Sequence, residues 1–221
     1  MEADGIMTRL LFVRHGETEH NVRGQICTHT DGVLLSELGV QQAADLAVRL
    51  SGVSLSAVYS SPMLRAIQTA TPIAKTHGLS IRTCEALREL SAGELDGRSD
   101  EEGYAILNAA LDAWCAGDDA VRIGVGGDIG VDVIHRLAVA VAKVADHHRD
   151  ETVLLMSHGG LLQMGIPWLC SNLTPSYGHR RHIANSSVIE VEATSGDTLE
   201  AICVAWGDDV LTSTFAPIVV H

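Results

Sequence analysis

The sequence predicts an α/β fold, a three-layer α/β/α sandwich with a mostly parallel central sheet. Two observations support this prediction. Short apolar segments alternate with longer segments of helical periodicity along most of the 221 residues, and this alternation is typical of parallel sheets with helices on both faces. The composition, with 46% hydrophobic and 19% charged residues, is that of a globular protein with its own core. We therefore expect one domain over residues 1–221.

Six short apolar segments are predicted strands. Each is bounded by polar or turn-forming residues and lacks the three- to four-residue spacing of a helix. In chain order they are residues 9–13, 57–60, 79–83, 152–157, 187–192 and 199–205. The fourth segment, "TVLLMS", is the clearest buried strand because it is apolar over most of its length.

Five longer segments have the apolar spacing of helices. They are residues 36–52, 61–78, 100–118, 131–149 and 158–170. Ser36 is a suitable N-cap for the first helix, and Ser61 followed by Pro62 favours a helix start for the second. Pro72 predicts a kink in that second helix or the end of its first half. The third helix belongs to a less regular stretch, about 91–130, which we expect to form a helical cap insertion.

The bulk composition excludes several classes of function. A net charge of −13 argues against binding to nucleic acid or to anionic membranes, so an anionic substrate would need a locally positive pocket. Five cysteines without a CxxC pair favour reduced thiols in a cytoplasm over disulfides or a zinc site. Residues 1–7 lack the basic start of a signal peptide and are expected to be a loose leader. The composition does not determine the oligomeric state and is compatible with a homodimer.

Polar side chains follow the predicted strands at their carboxyl ends. Arg14 and His15 follow the first strand, and Arg65 lies in the first turn of the helix after the second. Glu89 follows the third strand and His158 follows the fourth. Because parallel strands end at one edge of the sheet, where α/β proteins bind ligands, we expect these side chains to converge.

This set of side chains suits phosphoryl transfer without a metal or a cofactor. Arginine binds phosphate oxygens in fork geometry, and helix N-termini after Ser61 and His158 would add N–H donors for the anion. A neutral imidazole is a nucleophile towards phosphorus, and a carboxylic acid opposite it can protonate the leaving oxygen. Each residue alone has an ordinary structural explanation, but their joint occurrence at strand exits indicates a phosphate site.

Five segments also resemble, in the same order, the landmarks of the histidine phosphatase superfamily, or phosphoglycerate-mutase-like family. They are "LLFVRHGETEHN", "SSPMLRAIQTA", "LRELSAGELDG", "MSHGG" and "ANSSVIEV". The resemblance extends from Arg9 to about Asp209 and implies a phosphoglycerate-mutase-like fold. It implies that His15 becomes phosphorylated on a ring nitrogen and that Glu89 is the general acid and base.

The resemblance implies further roles around the phosphate. Arg14, Arg65 and His158 would hold the phosphoryl oxygens, and the Gly16 region would orient the imidazole. Asn185 would help to order the pocket. The residues expected to bind or border the substrate are Thr18, Asn21, Arg23, Gln25 and Gly159.

The sequence leaves three functions open, and the resemblance favours one of them. The segment "LRELSAGELDG" is similar to the phosphatase branch, since the basic-aromatic sequence that follows the acid in mutases is absent, and it predicts a phosphatase of small phosphorylated metabolites. The alternatives are a phosphoglycerate mutase and a non-catalytic module that binds phosphorylated ligands. The basic loop 176–183 and His29 would either contact a second anionic group of the substrate or belong to solvated loops.

Overall fold

The computed structural model describes residues 7–28, 32–179, 181–196 and 198–211. These residues contain one sheet, whose strands are β1 (Thr8–Arg14), β2 (Ala57–Ser60), β3 (Ile81–Thr83), β4 (Thr152–Ser157), β5 (Val188–Ser195), β6 (Leu199–Trp206) and β7 (Asp209–Val210). Their spatial order is β3-β2-β4-β1-β5-β6-β7. The first four strands are mutually parallel, and β5, β6 and β7 are added antiparallel. The six predicted strands are confirmed, and β7 is an addition.

The described residues contain six α-helices, in positions that confirm the three-layer sandwich. They are α1 (Glu19–Val22), α2 (Glu37–Arg49), α3 (Leu64–Thr76), α4 (Glu101–Cys115), α5 (Gly130–His147) and α6 (Gly159–Leu169). α2 and α3 pack on one face of the sheet, and α4, α5 and α6 contribute to the core on the other face. None of the described helices is both long and apolar enough to cross a membrane.

The central strand β1 is buried on both faces, which explains its continuous apolar run. Leu10 and Phe12 belong to the core under α5 and α6, whereas Leu11 and Val13 belong to the core under α2 and α3. All four side chains are 0% exposed, and burial of each contributes roughly 1.5–3 kcal/mol to folding. This double anchoring fixes the point at which the chain leaves the sheet, directly before His15.

The predicted start of the second long helix is wrong. α3 begins at Leu64 with Met63 at the N-cap position, and no side chain caps it. Ser61 is not the cap, because its hydroxyl is bonded to the ring of His158, with 2.8 Å between Oγ and Nε2. Pro62 therefore precedes the helix rather than starting it.

α3 also does not end at Pro72. The helix continues through this residue to Thr76. Ile73 and Ala74, which follow the proline directly, are buried in the core shared with α2. Their packing offsets the hydrogen bond that a proline cannot donate.

The stretch 91–130 packs into the same core as α5 and α6. Trp114 of α4 is 0% exposed, and its indole Nε1 donates to the carbonyl oxygen of Val121 at 2.7 Å. A Cβ on Gly130 would lie 2.8 Å from the indole ring, so glycine is required where α5 begins. The start of α5 also lies close to the segment that carries Glu89, because the N–H of Asp128 donates to the carbonyl oxygen of Ser91 at 2.8 Å.

Candidate active site

His15 follows β1, and its ring is held in one tautomer. The residue is 4% exposed. Nδ1 lies 2.7 Å from the carbonyl oxygen of Gly16, and Nε2 accepts from Nε of Arg65 at 3.2 Å. A carbonyl can only accept and a guanidinium can only donate. The proton is therefore on Nδ1, and the lone pair is on Nε2.

The surroundings of His15 keep the imidazole neutral. Burial lowers the pKa of His15 well below the usual 6.5, and the positive charges of Arg65 and Arg14 lower it further. Both effects disfavour the protonated ring. A neutral imidazole with a lone pair on one ring nitrogen is the form that can act as a nucleophile.

The turn at Gly16 packs against α2 and is hydrogen-bonded to α3. Its N–H donates to Oγ1 of Thr69 at 2.9 Å, and that hydroxyl donates to the carbonyl oxygen of Arg65 at 2.7 Å. A Cβ on Gly16 would lie 2.6 Å from the carbonyl oxygen of Gly39, so only glycine allows α2 to approach. Thr69 was not among the predicted site residues, and its one signal in the sequence is its position four residues after Arg65 on the same helix.

Two arginines, the buried Arg65 and the partly buried Arg14, bring positive charge to the ring. Arg65 is 1% exposed and also donates to the carbonyl oxygen of Cys27 at 3.2 Å. Arg14 donates from NH1 to the carbonyl oxygen of Ile183, and its buried Nε has no hydrogen-bond partner among the described residues. A Cβ on Gly159 would lie 3.2 Å from that Nε, so glycine leaves room for the guanidinium.

His158 lies beside His15 at the end of β4. The two ring centroids are 5.1 Å apart. Nε2 of His158 is bonded to the Ser61 hydroxyl, whereas its buried Nδ1 has no partner within the described part of the chain. Burial lowers the pKa of His158 well below 6.5, and the positive charge of Arg65 lowers it further. Ser61 is thus a partner of this ring that sequence analysis had assigned to a helix cap.

The N-terminus of α6 holds Glu89. The carboxylate accepts from the N–H groups of Gly160 at 2.9 Å and Leu161 at 2.6 Å, and also from Leu90 at 3.0 Å. The prediction that the N–H groups after His158 bind the substrate anion is therefore wrong for these two groups. A helix N-terminus favours any anion, and here the chain supplies its own.

Thr18, Asn21 and Asn185 form a chain of hydrogen bonds that ends on the nucleophile's backbone. Oδ1 of Asn21 accepts from the N–H of Thr18 at 3.1 Å and lies 3.4 Å from Nδ2 of Asn185. Nδ2 of Asn185 donates to the carbonyl oxygen of His15 at 2.9 Å. These residues order the loop after β1.

Two other predicted substrate residues have partners outside this cluster. Arg23 is exposed and lies 3.9 Å from the carboxylate of Glu19. Gln25 donates to the carbonyl oxygen of Gly97 at 3.4 Å. No contact of the described residues brings either side chain to His15. A role in substrate binding stays a prediction for both.

The basic loop 176–183 is partly neutralised by acidic partners. His179 lies 2.6 Å from the carboxylate of Asp112, and Arg181 lies 3.3 Å from that of Asp209. These pairs favour the interpretation of this segment as an ordinary surface loop over the interpretation as a second anion site. His29, and Arg180 within this loop, lie outside the described residues.

Two buried polar atoms beside His15 lack hydrogen-bond partners in the part of the chain that the structure describes and indicate the kind of ligand that would fit the site. Nε of Arg14 and Nδ1 of His158 are buried without a partner in the described ranges, and such atoms are nearly always bonded in proteins. They lie around a neutral imidazole that carries a lone pair, with a second guanidinium beside it. This arrangement fits an oxyanion and defines the class of the protein as an α/β phosphoryl-transfer protein.

Comparison with known proteins gives the family. The chain matches the family model of the histidine phosphatase superfamily (branch 1) over residues 10–208. It is 34% identical over 203 residues to phosphoglycerate mutase-like protein 4 of Arabidopsis thaliana, which covers 90% of this chain and 84% of that protein. It is 32% identical over 165 residues to the metal-independent phosphoserine phosphatase of Arabidopsis thaliana, with 74% and 69% covered.

A solved structure agrees with these sequence relatives. The mycobacterial glucosyl-3-phosphoglycerate phosphatase in complex with VO3 is similar with a TM-score of 0.76 and 29% identity, and the match covers 91% of this chain and 99% of that one. The chain belongs to the histidine phosphatase superfamily. It is a phosphoric monoester hydrolase, and the predicted family and enzyme class are confirmed.

Proposed function

We propose that the protein hydrolyses a small phosphorylated metabolite through a phosphohistidine on His15, with Glu89 as general acid and base. The observation that carries the proposal is the tautomer of His15. Its Nε2 lone pair lies beside the guanidinium of Arg65 in a ring that burial keeps neutral. The proposal treats residues 1–221 as one histidine phosphatase domain that acts in the cytoplasm.

The proposed reaction has two steps. Nε2 of His15 attacks phosphorus, the bond from phosphorus to the substrate oxygen breaks, and the protonated form of Glu89, which this step requires, gives its proton to that oxygen. Glu89 then takes a proton from water, whose oxygen attacks phosphorus and breaks the bond to Nε2. The Gly16 carbonyl accepts from Nδ1 throughout and stabilises the positive charge of the phosphorylated ring.

The cations of the chain supply the charge that the transition state needs. Arg14 and Arg65 are permanent cations, and together with His158 they can bind the phosphoryl oxygens. We therefore propose that turnover needs no metal ion. Activity that is unchanged by a chelator would support this part of the proposal, and activity that needs an added divalent metal would contradict it.

The names of the relatives guide the choice of substrates. Phosphoserine and glucosyl-3-phosphoglycerate head a panel of small phosphoesters, and 3-phosphoglycerate is included to measure isomerisation. Release of inorganic phosphate supports a phosphatase. Isomerisation that needs bisphosphoglycerate would instead indicate a mutase.

The phosphohistidine is tested by trapping. Rapid mixing with a ³²P-labelled substrate, followed by quenching, is expected to leave a label that acid removes and alkali does not. The His15→Ala variant is the control and is expected to carry no label. Binding of the substrate without any label or turnover in the wild type would indicate a non-catalytic binding module.

A further inference from the structure

One arginine of α5 holds the backbone of the segment that carries Glu89. NH1 of Arg136 donates to the carbonyl oxygen of Ala86 at 3.2 Å and lies 3.4 Å from that of Glu85. NH2 donates to the carbonyl oxygen of Glu89 itself at 3.2 Å. The guanidinium therefore spans the segment and ends on the residue proposed to be the acid.

Asp128 completes this attachment on the other side of Glu89. Its Oδ2 accepts from the N–H of Ser91 at 2.9 Å and lies 3.9 Å from NH2 of Arg136. The backbone N–H of Asp128 also donates to the carbonyl oxygen of Ser91 at 2.8 Å. The chain is thus tied both at Glu89 and two residues after it.

Glu89 consequently has two separate anchors. Its carboxylate is bonded to the N–H groups of Gly160 and Leu161 at the start of α6, and its backbone carbonyl is bonded to α5 through Arg136. The distance between the two helices then decides how far the carboxyl group extends. Loss of the backbone anchor would leave the carboxylate docked but free to shift along the mouth of the site.

We propose that Arg136, assisted by Asp128, is a positioning residue that sets the carboxyl group of Glu89 against the leaving oxygen. The inference rests on the proposed function, in which Glu89 protonates that oxygen. Arginine suits this task because its rigid fork can bind several carbonyl oxygens at once. Displacement of a catalytic group by about 1 Å can cost up to about 100-fold in rate.

The test compares two substrates of nearly equal shape. Phenyl phosphate needs a proton on its leaving oxygen, whereas p-nitrophenyl phosphate has a better leaving group and needs it less. The quantity measured is kcat/KM, which reports formation of the phosphoenzyme and excludes its later hydrolysis. We expect Arg136→Gln to lower kcat/KM by about tenfold or more for phenyl phosphate and by about twofold for p-nitrophenyl phosphate.

Three further variants are compared with Arg136→Gln. Glu89→Gln is expected to show the same selectivity with a larger loss, and Arg136→Lys is expected to be intermediate because it keeps the charge without the fork. Lys143→Gln is the matched control. Lys143 is exposed on α5 and lines the same groove of about 460 Å³ as Arg136, so this variant removes one charge nearby and is expected to retain wild-type kinetics.

The two possible failures are distinguishable. If Glu89→Gln lowers kcat/KM equally for both substrates, the acid role in the proposed function is wrong, and the inference fails with it. If Glu89→Gln is selective but Arg136→Gln is neutral or equally harmful to both substrates, only the positioning role is overturned. Should Arg136→Gln not fold, Asp128→Asn replaces it, with the same selectivity expected at about threefold; equal loss for both substrates would overturn the inference.

Discussion

This protein has two histidine–glycine junctions that occupy equivalent positions after parallel strands but differ in the hydrogen-bond partners of their histidine rings. His15–Gly16 and His158–Gly159 follow the neighbouring parallel strands β1 and β4, whose last residues pair in register. The N–H of His15 even donates to the carbonyl oxygen of Ser157 at 3.0 Å. Both rings are buried and neutral. A local motif therefore does not distinguish them.

Their ring partners do distinguish them. His15 donates from Nδ1 to a backbone carbonyl and accepts at Nε2 from Arg65, so its lone pair is directed at the cationic side of the pocket. His158 bonds through Nε2 to the Ser61 hydroxyl, and its Nδ1 has no partner in the described segments. The first arrangement suits a nucleophile and the second suits a group that binds phosphoryl oxygen.

The largest expected effect distinguishes the role of His15 as nucleophile from the role of His158 as a group that binds phosphoryl oxygen. We expect His15→Ala to lower kcat/KM by at least about 10⁴-fold. His158→Ala removes one group that stabilises the transition state and is expected to cost about 10²- to 10³-fold, while the phosphoenzyme still forms. Steady-state kinetics and ³²P labelling measure both. Labelling of the His15 variant, or its loss in the His158 variant, would reverse the assignment.

The glycines of the two junctions provide the second test. A Cβ on Gly16 would meet the carbonyl oxygen of Gly39 at 2.6 Å, and backbone cannot yield easily. We expect Gly16→Ala to lower the free energy of unfolding by about 1–3 kcal/mol. A Cβ on Gly159 would meet only the end of the Arg14 side chain, so Gly159→Ala is expected to weaken binding of inorganic phosphate more than stability. Urea denaturation and phosphate titration give the two quantities.

The third test uses pH. Because the folded pKa of His15 and of His158 is lowered, the unfolded chain binds protons below about pH 6.5 that the folded chain does not. Stability should therefore fall as the pH drops below 6.5, by about 1.4 kcal/mol per pH unit for each ring, until the folded pKa is passed. Denaturation in phosphate-free buffer from about pH 7 to 5 measures the slope. The His158→Gln variant should lose the contribution of one ring to this slope, about 1.4 kcal/mol per pH unit. An unchanged slope in this variant would contradict a buried and neutral His158.

The smallest expected effect concerns Ser61. The Ser61 hydroxyl oxygen accepts from the N–H of Met63 at 3.3 Å, and its own proton can be donated to Nε2 of His158. We propose this direction, which puts that ring's proton on Nδ1. Loss of this bond in Ser61→Ala is expected to cost about 0.5–1.5 kcal/mol in phosphate binding, or several-fold in Kd. Thr71→Ala, which removes an exposed hydroxyl of α3, is the matched control. Equal phosphate affinity in both variants would contradict the proposed tautomer.

Much of the fold was predictable because strands and helices depend on short-range patterns. β1 through β4 and the helices between them follow from apolar runs and spacing. The antiparallel pairing of β5 with β6 was missed, although the short connection 196–198 between them cannot contain a crossover helix. The false cap at Ser61 has the opposite cause, since a serine before a proline fits a helix start and its real partner lies 97 positions away.

By itself the sequence determined which chemical groups leave the sheet at one edge. Strand exits are local, and an arginine, a histidine or a glutamate placed there reaches the same crevice whatever the details of packing. Only the tertiary structure decided what each group does there. Arg65 is 50 positions from His15 in the sequence, and Gly160 is 71 positions from Glu89. Such partners decide which ring nitrogen carries the proton and where a carboxylate points. The sequence does not show them, because hydrogen bonds act over about 3 Å of space and not along the chain.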